Sequence, residues 1–507
     1  MKSSIQPEKR TPLTLIFVIL ACFGIPNTQA VVPPPDGGYP GGNTAEGQNA
    51  LLNVTSGEFN AAIGWLSLKN LTTGNFNTAV GAGTLALNMA EENTATGTGA
   101  LLFNTSGLQN TANGAFALFR NDNGNFNTAI GFEALFSNTE GLSNTAVGAQ
   151  ALQNNISGLN NTATGGLTLG SNTTGNLNTA IGSAAVLSNT TGDSNTGNGA
   201  SALQNNTSGS ANTAGGYAAL QSNTTADGNT AFGYKALQLN TTGFRNTAIG
   251  YQTLINSTGT HNTATGDSAM SSDTTGSSNT AYGYNALASN VTGNGNVAIG
   301  YGALVVQMSG DLNTALGVFA GNGITTADNV ICLGASGTNV SDSCFIGNIW
   351  NQTGGSQAVY VNSDGKLGAQ VSSRRFKQDI KPMDNTSEAL LLLKPVRFRY
   401  KKEIDPAGIS QFGLVAEEVD KVDPALVIHD KAGKPYSVRY DQVNAMLLNE
   451  FLKEHSAFVK EQVKVTDQQK QIDALKEELK EQRYLIQKVT DRIDVSQSTT
   501  RVARHEP

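Results

Sequence analysis

The chain has 507 residues, a net charge of −7, only 14% charged residues and Gly at 57 positions. So acidic and sparsely charged a chain excludes a nucleic-acid binder held by a general cationic surface. Four His and three Cys leave little material for a zinc or iron–sulfur centre, so no metal and no cofactor are expected.

The N-terminus reads as an export signal. Lys2, Lys9 and Arg10 precede a thirteen-residue apolar run, Leu13 to Ile25, which is short for a permanent span. Thr28-Gln29-Ala30 supplies a small-residue cleavage site. Residues 1–30 are expected to be removed, leaving a mature chain with no membrane span that is secreted or displayed at a cell surface. The alternative is an uncleaved anchor helix. Residues 31–42, with Pro33-Pro34-Pro35, read as a linker.

Between 43 and 320 the sequence repeats itself. The phrase Asn-Thr-Ala-x-Gly has seventeen starts, from Asn43 to Asn313; fourteen of the sixteen intervals are 17 residues and two are 16. A short fixed period marks a solenoid, in which each coil buries its apolar face only against its neighbours. In Asn229-Thr-Ala-Phe-Gly-Tyr-Lys-Ala-Leu237, alternation over Thr230 to Phe232 predicts a strand, and the Gly predicts a bend. Ala236 and Leu237 supply a small apolar contact, and Leu239-Asn-Thr-Thr-Gly243 is turn chemistry. Two short strands and two turns per coil are expected. Seventeen coils about 4.8 Å apart would give a rod of roughly 80 Å.

Several Asn in this stretch, Asn70, Asn172, Asn189, Asn223 and Asn240 among them, head Asn-x-Thr triplets. Turn formation is the plainer reading of them than glycosylation. Rows of Thr could face ice or a glycan, although Asn and Thr rows can also satisfy one another along a solenoid face. These repeats resemble the head repeats of trimeric autotransporter adhesins, whose pattern is Asn-x-x-Ala-x-Gly. The resemblance implies a parallel β-roll that trimerises. This repeat is longer by two or three residues than that family's usual unit.

Charge density then changes abruptly. Residues 43–320 hold 4 Lys/Arg and 12 Asp/Glu, while residues 371–507 hold 24 and 22. Two kinds of protein are joined through residues 321–370, which read as a β-rich connector with turns at Asn351-Gln-Thr-Gly-Gly and Ser363-Asp-Gly. Cys332 and Cys344 lie here, and their spacing allows either a disulfide or two buried free thiols.

Past the connector come Val371-Ser-Ser-Arg-Arg-Phe-Lys-Gln-Asp-Ile380, Leu390-Leu-Leu-Leu-Lys-Pro-Val-Arg-Phe-Arg-Tyr400, Phe412-Gly-Leu-Val-Ala-Glu-Glu-Val419, Asp423-Pro-Ala-Leu-Val427 and Tyr440-Asp-Gln-Val-Asn-Ala-Met-Leu-Leu448. In this order and spacing the blocks resemble the intramolecular chaperone module that ends phage tailspikes and endosialidases, the self-cleaving serine peptidase family seventy-four. The resemblance covers about 371–465. It implies a small α+β module that trimerises and templates folding, and a catalytic pair, Ser372 and Lys377, that cuts the Val371–Ser372 bond. Ser373 stands where the family usually has Asp. The chemistry is reasonable: a Ser hydroxyl needs a nearby base, and a Lys serves when burial or neighbouring cations such as Arg374 and Arg375 weaken its hold on its proton.

From Tyr440 a long helix is expected to 495, followed by a polar tail, 496–507. Phe451, Phe458, Val465, Ile472, Leu479, Ile486 and Ile493 recur every seven residues, with Glu454, Glu461, Gln468, Leu475, Gln482, Val489 and Ser496 three places later. An apolar seam beside a mixed one predicts a coiled coil of limited stability, compatible with a trimer.

The expected fold class is therefore mainly β: a parallel β-roll or solenoid of 17-residue repeats, a small α+β chaperone module and a C-terminal coiled-coil helix. The expected function is an exported homotrimeric fibre whose chaperone module aligns the chains and then acts once as a self-cleaving endopeptidase, with no external substrate. A host-surface or glycan receptor is the expected outside partner. The alternative is a non-cleaving structural rod, or one binding glycan or ice, with the module as a permanent trimer cap.

Overall fold

A computed structural model describes residues 39–349, 359–361, 365–369, 371–430 and 432–502. The expected export signal lies outside the described residues, as do residues 31–38 of the expected linker. The chain divides into two compact units, Met1–Gln352 and Thr353–Pro507.

The first unit is a parallel solenoid. Nineteen three-residue strands, β1 (Thr44–Glu46) to β19 (Cys344–Ile346), pair in chain order into one sheet. The register repeats from coil to coil, as in Thr128↔Thr145, Ala129↔Ala146 and Ile130↔Val147. Parallel neighbours require a long crossover, and the rest of each coil supplies it. Within each strand the middle residue points inward and the outer two face outward. The inward position is Ala in nearly every coil, and Ala129 and Ala146 are fully buried. Leu118, Leu135 and Leu152 form a second buried column.

Each coil has one strand, not the two expected. The Ala-Leu segment is also tied to neighbouring coils by backbone hydrogen bonds: Leu135 N–H donates to Ala151 O (3.0 Å) and Glu133 N–H to Ala115 O (3.0 Å). Its backbone is not β, because Glu133 and Leu135 sit at φ 55° and 54°, alternating in hand with the residues between. Bonds to the coils on both sides hold these unfavourable left-handed residues in place.

Two buried Asn rows hold coil to coil. The Asn127 side-chain N–H donates to Gly141 O (2.8 Å), and its Oδ1 accepts from the Asn144 backbone N–H (3.0 Å) and side-chain N–H (3.2 Å). The Asn138 side chain donates to the same Gly141 O (3.1 Å) and to Asn121 Oδ1 (2.7 Å) in the preceding coil. One glycine carbonyl thus joins both rows. The row containing Asn138 includes Asn172, Asn189, Asn223 and Asn240, all fully buried. These four are structural amides, inaccessible to a glycan-transferring enzyme.

Glycine is required at two places in the coil. At Gly131 φ is 136°, and an added Cβ would lie 2.4 Å from Gly148 O. At Gly141 it would lie 2.2 Å from Asn138 Oδ1. Backbones of successive coils approach so closely that no side chain fits between them.

The solenoid runs two coils beyond the last repeat phrase, into the expected connector. Val330 N–H takes the final bond of the Asn row, to Asn313 Oδ1 (2.8 Å), and β18 (Ile331–Leu333) and β19 continue the register. Cys332 occupies the buried Ala position. Cys344 pairs with Ile331, one place out of step with Cys332, and so faces the opposite side of the sheet. Both are free thiols, Cys332 buried and Cys344 exposed. Neither alternative weighed for this pair, a disulfide or two buried thiols, is what the fold contains. Burial pushes the Cys332 thiol up from its ordinary value.

The second unit is smaller. It begins with an antiparallel pair, β20 (Val359–Val361) and β21 (Leu367–Ala369), then a 3-10 turn at Arg374–Phe376 and a 3-10 helix at Asp384–Leu392. β22 (Val396–Phe398) pairs antiparallel with β23 (Gln411–Gly413). Helix α1 (Ala416–Val422) carries Glu417 and Glu418 in its first turn and Lys421 in its last, matching the helix dipole. The Asp423 side chain then caps the turn Pro424–Leu426 by accepting from Ala425 N–H (2.9 Å). β24 (Val427–His429) pairs antiparallel with β25 (Pro435–Val438), and helix α2 runs from Tyr440 to Val502, past the expected end. Val419, Leu426, Val427, Val438 and Met446 form a thin core.

Two measurements check the solenoid. Gly131→Ala should cost at least about 1–3 kcal/mol from its backbone angle alone, and more from the clash. Gly166→Ala, where the nearest atom to an added Cβ is Ala149 O at 3.9 Å, should be neutral or stabilising. Thermal melts of the two variants should therefore move apart. The second concerns Asp273, which interrupts the Asn row. Its carboxylate accepts from Ser257 Oγ–H (2.6 Å) and the Asn290 side chain (2.8 Å). Burial pushes its pKa up from 3.8 to about 6, against the opposing pull of those hydrogen bonds. A raised folded-state pKa favours the protonated form, so stability is full below pH 3.8 and is lost as pH rises through about 6. Asp273→Asn should remove this loss, worth about 3 kcal/mol above that range. Melting midpoints of parent and variant should coincide in acid and separate toward neutrality.

Candidate functional site

The sequence-predicted pair meets in space. Phe376 N–H donates to Ser373 O (3.0 Å) and Lys377 N–H to Arg374 O (3.1 Å), closing the 3-10 turn. This turn brings residues five apart together, and the Lys377 ammonium donates to Ser372 Oγ at 3.3 Å. Ser373 caps the turn with its backbone carbonyl, and its side chain makes no capping hydrogen bond. The Arg375 guanidinium lies over the Phe376 ring at 4.6 Å, with its charge against the ring face. Val371, Ser372, Ser373 and Lys377 are all exposed in a single chain. Water therefore reaches both partners.

Further along the chain lies a polar clamp that spacing did not reveal. Ser387, fully buried on the 3-10 helix, donates to Glu450 Oε1 (2.5 Å) and accepts from the Asn449 side chain (2.6 Å). Asn449 also donates to Asp384 O (3.0 Å). Lys453 pairs with Glu450 (2.8 Å) and more distantly with Glu388 (3.7 Å). Its hydrogen bond holds the Glu450 carboxyl below the ordinary range. The clamp fixes the 3-10 helix to the base of α2. Its two sides are more than sixty residues apart, which is why no local pattern marks them. The Tyr440 hydroxyl makes a second tie by accepting from Leu414 N–H (3.0 Å).

Further along α2, the seven seam residues from Phe451 to Ile493 are exposed in one chain. So are Phe412 and Tyr436, at 82% and 77%, which is too open for side chains of this size in a finished core. Among the described residues no three His, Cys, Asp or Glu side chains converge as metal ligands. Among the same residues no helix is long and apolar enough to cross a membrane.

Residues 372–428 match the chaperone-of-endosialidase family, serine peptidase family seventy-four. The match begins at Ser372 and ends at Ile428, in β24. Neither a curated protein nor a solved structure matches the chain. The C-terminal unit thus contains a segment that matches the chaperone-of-endosialidase family, joined in sequence to a parallel β-solenoid.

Proposed function

We propose that the chain is an exported homotrimeric fibre whose C-terminal segment aligns three copies and then cuts each chain once, between Val371 and Ser372. The observation that carries this reading is the Lys377–Ser372 hydrogen bond at the first residue of the family match. Once the Lys377 ammonium has released one proton to water, its neutral amine takes the proton of Ser372 Oγ, and the oxygen attacks the carbonyl carbon of Val371. A C–O bond forms, the Val371–Ser372 C–N bond breaks, and the proton passes to the Ser372 nitrogen. Water then hydrolyses the ester, leaving a Val371 carboxylate and restoring the Ser372 hydroxyl. Attack within one chain needs no substrate binding, and good placement can supply roughly 7–11 kcal/mol.

Trimerisation comes first. The exposed α2 seam and the open side chains Phe412 and Tyr436 need partners, and the neighbouring copies supply them. The adhesin-like repeats then act as a rod that presents its surface to a host-surface or glycan receptor, after export directed by residues 1–30. Ser373 is a bystander, since the base contacts Ser372.

A denaturing gel of purified protein tests the cleavage. Wild type should give two fragments, ending at Val371 and starting at Ser372. Ser372→Ala and Lys377→Ala should each leave one full-length band, and Ser373→Ala should still cut. A wild-type chain that trimerises and stays intact would make the segment a permanent cap. Loss of cutting in Ser373→Ala alone would move the nucleophile to Ser373.

A further inference from the structure

The outward face of the solenoid sheet is nearly free of charge. Its first and third strand positions, and the position just past the Gly bend, carry only two charged residues over nineteen coils, Glu46 and Asp267. Along the third position the N-terminal half is interrupted by Thr96, Asn113, Thr164 and Asn198. In the C-terminal half Phe232, Ile249, Tyr282, Ile299 and Leu316 follow one another, broken only by Thr265, and all five are exposed. Beside them runs a Tyr row. Tyr217, Tyr234 and Tyr251 stack ring on ring at 5.5 and 5.2 Å, and Tyr284 stacks on Tyr301 at 5.2 Å.

The chemistry of this face narrows its occupant. Stacked Tyr rings cover one another's faces and present edges outward, so the row offers no open platform for a sugar ring to lie on. A face without net charge can meet itself, whereas a charged one would repel its copy. Its relief has the pitch of strand pairing, about 4.8 Å, maintained over many coils. A surface of the same pitch and length is available on another copy of this chain. Nine strands at that spacing, three outward columns wide, present about 500 Å² of flat face per copy. Three copies would together withdraw about 1,500 Å² from water, about 500 Å² at each of three contacts, so this face supplements the exposed α2 seam and does not hold a trimer alone.

We infer that the sheet face from Thr213 to Ile346 packs against the same face of two other copies, while the Thr- and Asn-interrupted half toward Asn43 stays free. This rests on the trimeric reading above and names the solenoid surface that serves it. The half that pairs is the one nearer in sequence to the chaperone match, so alignment begun there would propagate along matched coils.

The test places single reporter thiols at equivalent strand positions in the full-length chain carrying Cys344→Ser. Tyr282→Cys and Ile299→Cys sit in the pairing half, and Thr164→Cys sits in the free half. Light scattering gives the copy number of each variant, and a thiol reagent gives its accessibility. The expected result is a three-chain mass, with Tyr282→Cys and Ile299→Cys reacting about tenfold more slowly than Thr164→Cys. A three-chain mass with equal rates at all three sites would overturn the face and leave the trimer standing. A one-chain mass would overturn both readings, and slow labelling at that mass would mean that another occupant covers the face.

Discussion

The structure depends on one hydrogen-bonded junction repeated along the solenoid: two buried Asn side chains meeting on a single Gly carbonyl. In the coil beginning at Asn127, Gly141 O receives both Asn127 and Asn138, while Asn127 Oδ1 receives the next coil and Asn138 reaches the previous one. A buried amide without a partner is costly, so each Asn commits its coil to neighbours at one spacing. The same spacing makes Gly131 and Gly141 irreplaceable, because a Cβ would enter the next coil's backbone at Gly131 and the Asn138 amide at Gly141. It also holds Leu135 in a left-handed conformation that Leu avoids elsewhere. Position in the stack, more than local preference, decides what each residue does.

A stack held this way has little to distinguish one coil from the next. Its stability is close to a sum over neighbours, and coils slipped by one repeat would recover most of the same bonds. The breaks in regularity are few. Asp273 replaces Asn in a coil following a 16-residue interval, and Val330 and Cys332 end the Asn and Ala columns. A chain with such a body benefits from a start point whose contacts are not repetitive, since long-range β pairing is slow and prone to error. The C-terminal unit has that character. Its thin core, its clamp across Ser387, Asn449, Glu450 and Lys453, and its exposed seam are each made once.

Much of this was legible in the sequence because the phrase Asn-Thr-Ala-x-Gly names its own roles: bonded amide, outward Thr, core Ala, bend. The second strand expected around Ala134 and Leu135 failed for a physical reason. Alternation of side chains does not reveal that Gly131 sends the chain into backbone of alternating hand, which only the stacked partners stabilise. The last two coils were missed because Val330 and Cys332 break the phrase without breaking the register. Their strand positions also place Cys332 and Cys344 on opposite faces, which no count of intervening residues could show. Ser372 and Lys377 were readable through the family resemblance of their segment, and a single turn closes the five residues between them. The Ser387–Glu450 bond was not, since it joins segments 63 residues apart.

The most direct test of the Asn–Gly junction is site-resolved amide exchange in Asn127→Ala. The Asn144 backbone N–H would lose its acceptor, and Gly141 O would lose one of its two donors. The account predicts a loss of protection centred on the coils from Asn110 to Asn161 that fades along the stack, leaving distant coils such as that at Asn279 as slow as in the parent. Unchanged exchange at Asn144 and its neighbours would show that the coils are held by backbone pairing alone, and the buried Asn rows would lose their place as the organising contact.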